Sequence, residues 1–306
     1  MGNLPHIRIL TVVLVGAILA MGCRPARQEP AEVPASAGDE PPARIVSLAP
    51  SITEILFELG VGDRVVGNTD YCDYPAEAAG KTKIGGYYDP NFEGIVALQP
   101  DVVFLLEEHD PVKKVLDDLH VRYVEVNHRG VANILGSIKV IGAVCGREKE
   151  AAELTRGLQK RIDRVDRAVA GRKRPTVLVS VGRNMGTGSL SDVYIAGQDP
   201  FYNVLVGMAG GTNVYTDTRI AFPMVSREGI LRLDPDVIID LVADLEPTAE
   251  NLARVRQEWD GVGSVKAVRS GRVHIFTEDY VTVPGPRFVL ILEMITKALH
   301  PKAEFE

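Results

Sequence analysis

The sequence predicts an α/β protein of two Rossmann-like lobes, each on a mostly parallel sheet, joined by a long helical spine with a ligand cleft between the lobes. Three observations predict it. Short apolar runs alternate with amphipathic stretches through residues 43–130 and again through 174–300, the pattern of parallel sheets covered on both faces. Between them, residues 131–170 contain no proline and carry apolar residues at helical spacing. Finally, Glu93-Gly-Ile-Val-Ala-Leu-Gln-Pro-Asp-Val-Val103 recurs at an offset of 135 as Glu228-Gly-Ile-Leu-Arg-Leu-Asp-Pro-Asp-Val-Ile238, with seven of eleven positions identical.

Each element can be justified in order. Arg44-Ile-Val-Ser-Leu48 is an apolar run of strand length. Ser51-Ile-Thr-Glu54 has the spacing of a capping box, so a helix is expected to start there and stop at Gly60. Further strands are expected at residues 65–66, 102–106 and 123–126. In the spine, Ile134, Ile138 and Ile141 and then Leu154, Leu158, Ile162 and Val165 share one face, and Gly146 divides two helices. The second helix, from about residue 147 to 170, is polar over most of its surface and is expected to lie outside, bridging the lobes. The spine as a whole takes residues 131–173. In the second lobe strands are expected at 176–181, 193–196, 237–241 and 273–276. Helices are expected near 201–208, 226–233, 248–259 and 287–299, the first ended by Gly210-Gly211. Each repeat copy reads as a short helix, a Pro-Asp turn and a buried strand.

The 306 residues suffice for two cores, and the net charge of −7 argues against a nucleic-acid partner. Ahead of the lobes, residues 1–22 read as an export signal. His6 and Arg8 make a weakly basic start, and residues 9–21 are an apolar run of about 13, too short to span a bilayer. The run ends in Leu19-Ala20-Met21-Gly22-Cys23, where a small residue before Cys resembles a lipoprotein cleavage box and makes Cys23 the expected lipidation site. Residues 23–42, rich in Pro, Ala and Glu, cannot bury a core and are expected to be a disordered tether. Cys72 and Cys145 admit a disulfide or two unpaired thiols, and unpaired is the reading adopted.

In open α/β sheets ligands bind beyond the carboxyl ends of the strands, which places the candidate loops opposite one another across the cleft. Those loops hold Tyr71, Tyr74, Tyr87, Tyr88, Phe222 and Tyr280, a lining suited to a large planar ligand, with Tyr74 expected merely to pack beside Pro75. His109 and His128 lie in the same loops and could reach a metal carried by a ligand. No His, Cys or carboxylate spacing suggests a dedicated metal site. The Gly182-Arg-Asn-Met-Gly-Thr-Gly188 loop lacks the Lys-Ser/Thr of a P-loop, no G-x-S-x-G follows a strand, and no enzyme is expected.

Residues 44–54, Asp73-Tyr-Pro75, residues 85–101, Val225-Ser-Arg-Glu228 and Gly285-Pro-Arg287 together resemble the periplasmic-binding family for cobalamin, haem and ferric siderophores. The look is nearest to its vitamin B12-binding members. The resemblance covers about residues 44–300 and implies lobes bridged by one long helix, with little hinge motion. It implies a monomeric protein with no cofactor of its own, delivering a metal chelate to an ABC permease and its ATPase, and exported to the periplasm or cell surface. In the B12 binders a Glu on each lobe pairs with permease Arg residues, and those positions fall on Glu93 and Glu228. Aromatic rings stand at the positions of Tyr87 and Phe222 and an Asp at that of Asp279, whereas Val283 replaces an expected Arg. In haem-binding relatives a Tyr of the region around Tyr87 and Tyr88 ligates iron, and siderophore binders carry basic residues for anionic chelates, for which Arg129, Arg183 and Arg219 are available, so cobalamin, haem and ferric siderophore all remain open as ligands. A sensor or an enzyme on the same two-lobe fold is the rival outside transport.

Overall fold

The computed structural model describes residues 40–186, 190–217, 219–243 and 245–305; the expected signal, Cys23 and most of the tether lie outside them. Pro41 and Pro42, expected in the tether, belong to the fold: Pro42 is buried and Pro41 packs against Gly146.

In the N-terminal lobe, strands β1 (Ile45–Ser47), β2 (Val65–Asn68), β3 (Thr82–Lys83), β4 (Val102–Leu106) and β5 (Tyr123–Val126) form a sheet in the order β3-β2-β1-β4-β5. Every pairing is parallel. Helices α1 (Pro50–Glu58), α2 (Ala76–Ala79), α3 (Phe92–Ala97) and α4 (Asp110–Asp118) connect the strands. The strand order reverses at β1, so the β1/β4 boundary is the switch point where doubly wound sheets open a crevice.

The spine is α5 (Val131–Cys145) and α6 (Glu148–Val169). Gly146, at φ 66°, supplies the left-handed cap that separates them. Helix α6 packs on α5 at one end and on α7 (Tyr202–Met208) and α11 (Phe288–Leu299) of the second lobe at the other.

The C-terminal sheet runs β11-β10-β6-β7-β9, from strands β6 (Thr176–Gly182), β7 (Val193–Ile195), β9 (Met224–Val225), β10 (Val237–Leu241) and β11 (Val273–Phe276). A short β8 (Thr212–Asn213) also pairs with β6. Strand β7 is antiparallel to both neighbours, so this sheet is mixed. Helices α8 (Arg227–Leu233), α9 (Ala249–Trp259) and α10 (Lys266–Arg269) complete the lobe with α7 and α11.

Strand alternation sorts the cores. Val102 and Phe104 of β4 and Val237 and Ile239 of β10 face one apolar cluster that also takes Ile138 of α5, Leu158 of α6 and Leu292 of α11. Their neighbours Val103 and Ile238 face separate clusters private to each lobe. The shared cluster welds the lobes together, and all described core residues belong to the span 45–299.

The repeat has a structural cause. Asp101 Oδ2 accepts from the backbone N–H groups of Ala43 and Arg44, both at 2.8 Å, at the entry to β1. Asp236 Oδ2 likewise accepts from the Thr176 N–H at 2.9 Å, at the entry to β6. Each Pro-Asp turn therefore ties the strand that follows it to the start of its parallel neighbour. Two residues before each Asp, Gln99 and Asp234 take the same left-handed backbone at φ 45° and 42°.

Candidate ligand-binding cleft

A cleft of about 420 Å³ lies between the lobes. Its walls come from the carboxyl ends of strands: Ser51 after β1, Tyr71 after β2, Tyr87 after β3 and Leu106 on β4, faced by Ala243 after β10 and Val283 after β11. The cleft thus sits at the switch point and opens against the corresponding edge of the second lobe.

An ion pair crosses its floor. Arg287, one residue before α11, makes two hydrogen bonds to Glu54 of α1, Nη2 to Oε1 at 2.7 Å and Nε to Oε2 at 3.0 Å. The side chains are 11% and 2% exposed, so the pair is closed off from solvent. Arg287 Nη1 also donates to both oxygens of Asp279, at 3.0 and 2.8 Å, and the Tyr74 ring lies 3.8 Å from the guanidinium. Burial pushes the Glu54 carboxyl above the usual carboxylate range in spite of Arg287. Gly285 permits the approach, because a Cβ there would stand 3.1 Å from Glu54 Oε2 and 3.2 Å from Ser51 Cα.

This geometry replaces the expected capping box. Pro50 occupies the first turn of α1, and neither Ser51 nor Glu54 caps the helix. The Ser51 hydroxyl lies 2.7 Å from His128 Nδ1, and Glu54 is taken by Arg287. Tyr74, expected only to pack beside Pro75, lines the cleft. Sequence reasoning missed the Glu54–Arg287 pair, although both residues stood in quoted motifs. Nothing in the spacing of residues 233 apart signals a contact.

Of the residues expected to bind ligand, Tyr71, Tyr87 and Asp279 line the cleft. Tyr88 and Phe222 are 72% and 47% exposed and stand outside the lining. The Tyr280 hydroxyl is directed to Met294 Sδ at 3.2 Å on α11, away from the lining. His109 is buried, with Nδ1 accepting from the Leu106 N–H at 3.1 Å and its ring against Tyr87 at 4.6 Å, so it organises the end of β4 behind the lining. Tyr87 donates to Glu108 Oε1 at 2.7 Å, and burial together with that carboxylate raises its phenol well above the usual range.

The basic residues offered for an anionic chelate are engaged elsewhere. Arg129 pairs with Glu107 at 2.6 Å, and Arg219 pairs with Asp217. The Arg183 side chain is 1% exposed, bonded to Asp240 and Glu258 beside the Trp259 ring. Cys72 and Cys145 are unpaired and buried; burial raises the Cys72 thiol and pushes Cys145 up to about 12, so neither is a ready nucleophile.

His128 carries a pH signature. Burial holds its imidazole down to about 3, so it stays neutral in the fold. An unfolded His titrates near about 6.5, so below that pH the unfolded state binds the extra proton. The stability that neutral His128 contributes is therefore complete above about pH 6.5 and is lost as pH falls toward the folded value, at up to about 1.4 kcal/mol per pH unit. His109, His274 and His300 are lowered too, first by burial, and add to the loss. Urea unfolding from neutral to mildly acid pH should show this slope, and His128→Asn should flatten it.

Glu93 and Glu228 are both exposed. Each sits in the first turn of a helix that runs antiparallel to the strand after it, so each lies at the cleft end of its own sheet. The caps match: Asn91 accepts from the Gly94 N–H at 3.0 Å and Ser226 from the Gly229 N–H at 3.2 Å. Bonds from its own backbone N–H and from the Ser226 hydroxyl hold the Glu228 carboxyl below the usual range.

Two switch-point lobes facing one another across a cleft, welded by a helical spine, define a bilobal solute-binding protein. The chain belongs to the periplasmic binding protein family, whose model matches residues 45–280. It is 29% identical over 270 residues to the ABC transporter substrate-binding lipoprotein YvrC of Bacillus subtilis, itself uncharacterized, covering 85% of this chain and 81% of that one. It is 25% identical over 260 residues to a vitamin B12-binding protein of Pectobacterium carotovorum, covering 84% and 88%. Among solved structures, the periplasmic haem-binding protein RhuT of Roseiflexus superposes with a TM-score of 0.72 at 25% identity, covering 85% of this chain and 99% of that one.

Proposed function

We propose that this protein is the substrate-binding lipoprotein of an ABC importer, and that its cargo is a corrinoid of the cobalamin type. The observation that carries the choice of cargo is the charge of the cleft. Among the described lining residues Glu54, Asp73 and Asp279 face one cation, Arg287; that guanidinium is already occupied by Glu54 and Asp279, and Asp73 is paired with Lys83 outside the lining at 3.6 Å. Haem, with two propionates, and anionic ferric chelates would meet excess negative charge there. A corrin ring edged by neutral amides would not. Tyr87 supports the same reading, because a phenol raised by burial and donating to Glu108 is poorly placed to become a phenolate ligand to ferric iron. Tyr71, Tyr74 and Tyr87 offer flat apolar faces to a macrocycle, which at this cleft volume would stand partly proud of the lobes.

Lipid on Cys23 would hold the protein at the membrane, each buried methylene contributing about 0.8 kcal/mol. Glu93 and Glu228 would seat the loaded protein on basic residues of the permease, one carboxylate from each lobe. The cargo assignment is tested by calorimetric titration with cyanocobalamin, hemin and a ferric hydroxamate. Cyanocobalamin should bind at least tenfold more tightly than the others. Tighter binding of hemin, with the sharp absorbance of a Tyr–iron bond, would reverse it.

A further inference from the structure

The end of the C-terminal lobe away from the cleft carries a feature that solute capture leaves unused. A groove of about 660 Å³ opens where the strands of this lobe begin. It is lined by residues just before β6, β10 and β11, with α10 and the end of α11. Five formally positive side chains, Arg172, Lys173, Lys266, Arg269 and Arg272, face it with one carboxylate, Asp236. The whole chain carries −7, so the sign of this patch runs against the rest of the molecule.

Little of that charge is spent internally. Lys266 pairs with Asp234 at 3.1 Å. Arg172 donates to the Ala168 carbonyl and Arg272 to those of Ala298 and Leu299, and a carbonyl neutralises no charge. Asp236 is engaged by the Thr176 N–H and hydroxyl. The side chains of Lys173 and Arg269 make no hydrogen bond or ion pair among the described residues. Burial, reinforced by the field of Arg172, Arg272 and Arg174, keeps the His300 imidazole below its usual range.

We propose that this groove seats the protein on an anionic membrane surface, through the phosphates of lipid headgroups. Charge complementarity favours it, since clustered Lys and Arg near a bilayer are drawn to anionic lipid. The charge of the groove carries this by itself, without the proposed lipid anchor.

The test uses purified residues 40–306, which hold every described core residue and lack any anchor. Flotation with phosphatidylcholine vesicles should recover no protein. Vesicles containing phosphatidylglycerol should recover it, and added salt should release it. The double variant Lys173→Glu/Arg269→Glu should weaken binding by at least about tenfold, while its melting temperature and cyanocobalamin titration match the parent. Equal recovery on both vesicle types, no recovery on either, or a double variant that binds like the parent would overturn the proposal. The readout needs neither cargo nor permease, so its failure leaves the transport reading standing.

Discussion

Replacing Arg287 by alanine is expected to cost about 3–5 kcal/mol of folding stability, the usual effect of removing one partner from a buried ion pair. Glu54, 2% exposed, would be left with no countercharge and with Asp279 as its nearest charged neighbour in this network. The pair itself need not stabilise the fold on balance, because burial already raises the Glu54 carboxyl. A double variant, Glu54→Leu with Arg287→Met, should therefore recover most of the loss, and a double-mutant cycle in urea measures the coupling. The deficit of Arg287→Ala relative to the parent should also shrink in acid. An unpaired Glu54 would have a folded value raised further above its unfolded one, so its ionisation penalty is present at neutral pH and relieved as pH falls through the folded value. A loss that is pH-independent and not recovered in the double variant would mean that Arg287 acts only as packing against Tyr74.

The second large effect concerns delivery. Exchanging both Glu93 and Glu228 for alanine is expected to abolish transport stimulation in a reconstituted importer while leaving cargo affinity unchanged. Both carboxylates are exposed, begin matching helices at the cleft end of their sheets, and are absent from the cleft lining. Charge-assisted bonds to permease arginines would be lost without disturbing the cavity. Each single variant should leave partial function, because one lobe would still engage. Unchanged transport by the double variant would make these residues ordinary first-turn acids favoured by the helix dipole.

Much of the architecture was legible in advance because it depends on local periodicity. Gly60 and Gly146 were legible as helix breaks, and both take positive φ. The unpredicted strands β3, β8 and β9 have two residues each, too few to show alternation, and the direction of β7 depends on a partner distant in sequence. The site was legible only in outline. The loops that meet at the cleft follow the carboxyl ends of strands, so Tyr71 and Tyr87 could be anticipated, whereas Asp279 was expected only from the family resemblance. Whether a ring on such a loop faces the cavity, as Tyr74 does, or turns to the core like Tyr280, depends on neighbours that no spacing encodes.

The sequence alone determined the longer elements, the pairing of two similar halves and the places of Glu93 and Glu228 in the repeat, since the periodicity of burial and the repeated motif are written in contiguous residues. Only the tertiary structure decided that Ser51 and Glu54 serve the cleft floor and do not cap their helix. Their alternative partners, His128 and Arg287, arrive from elsewhere in the chain, and a buried ion pair outcompetes a local hydrogen bond that Pro50 had already made dispensable.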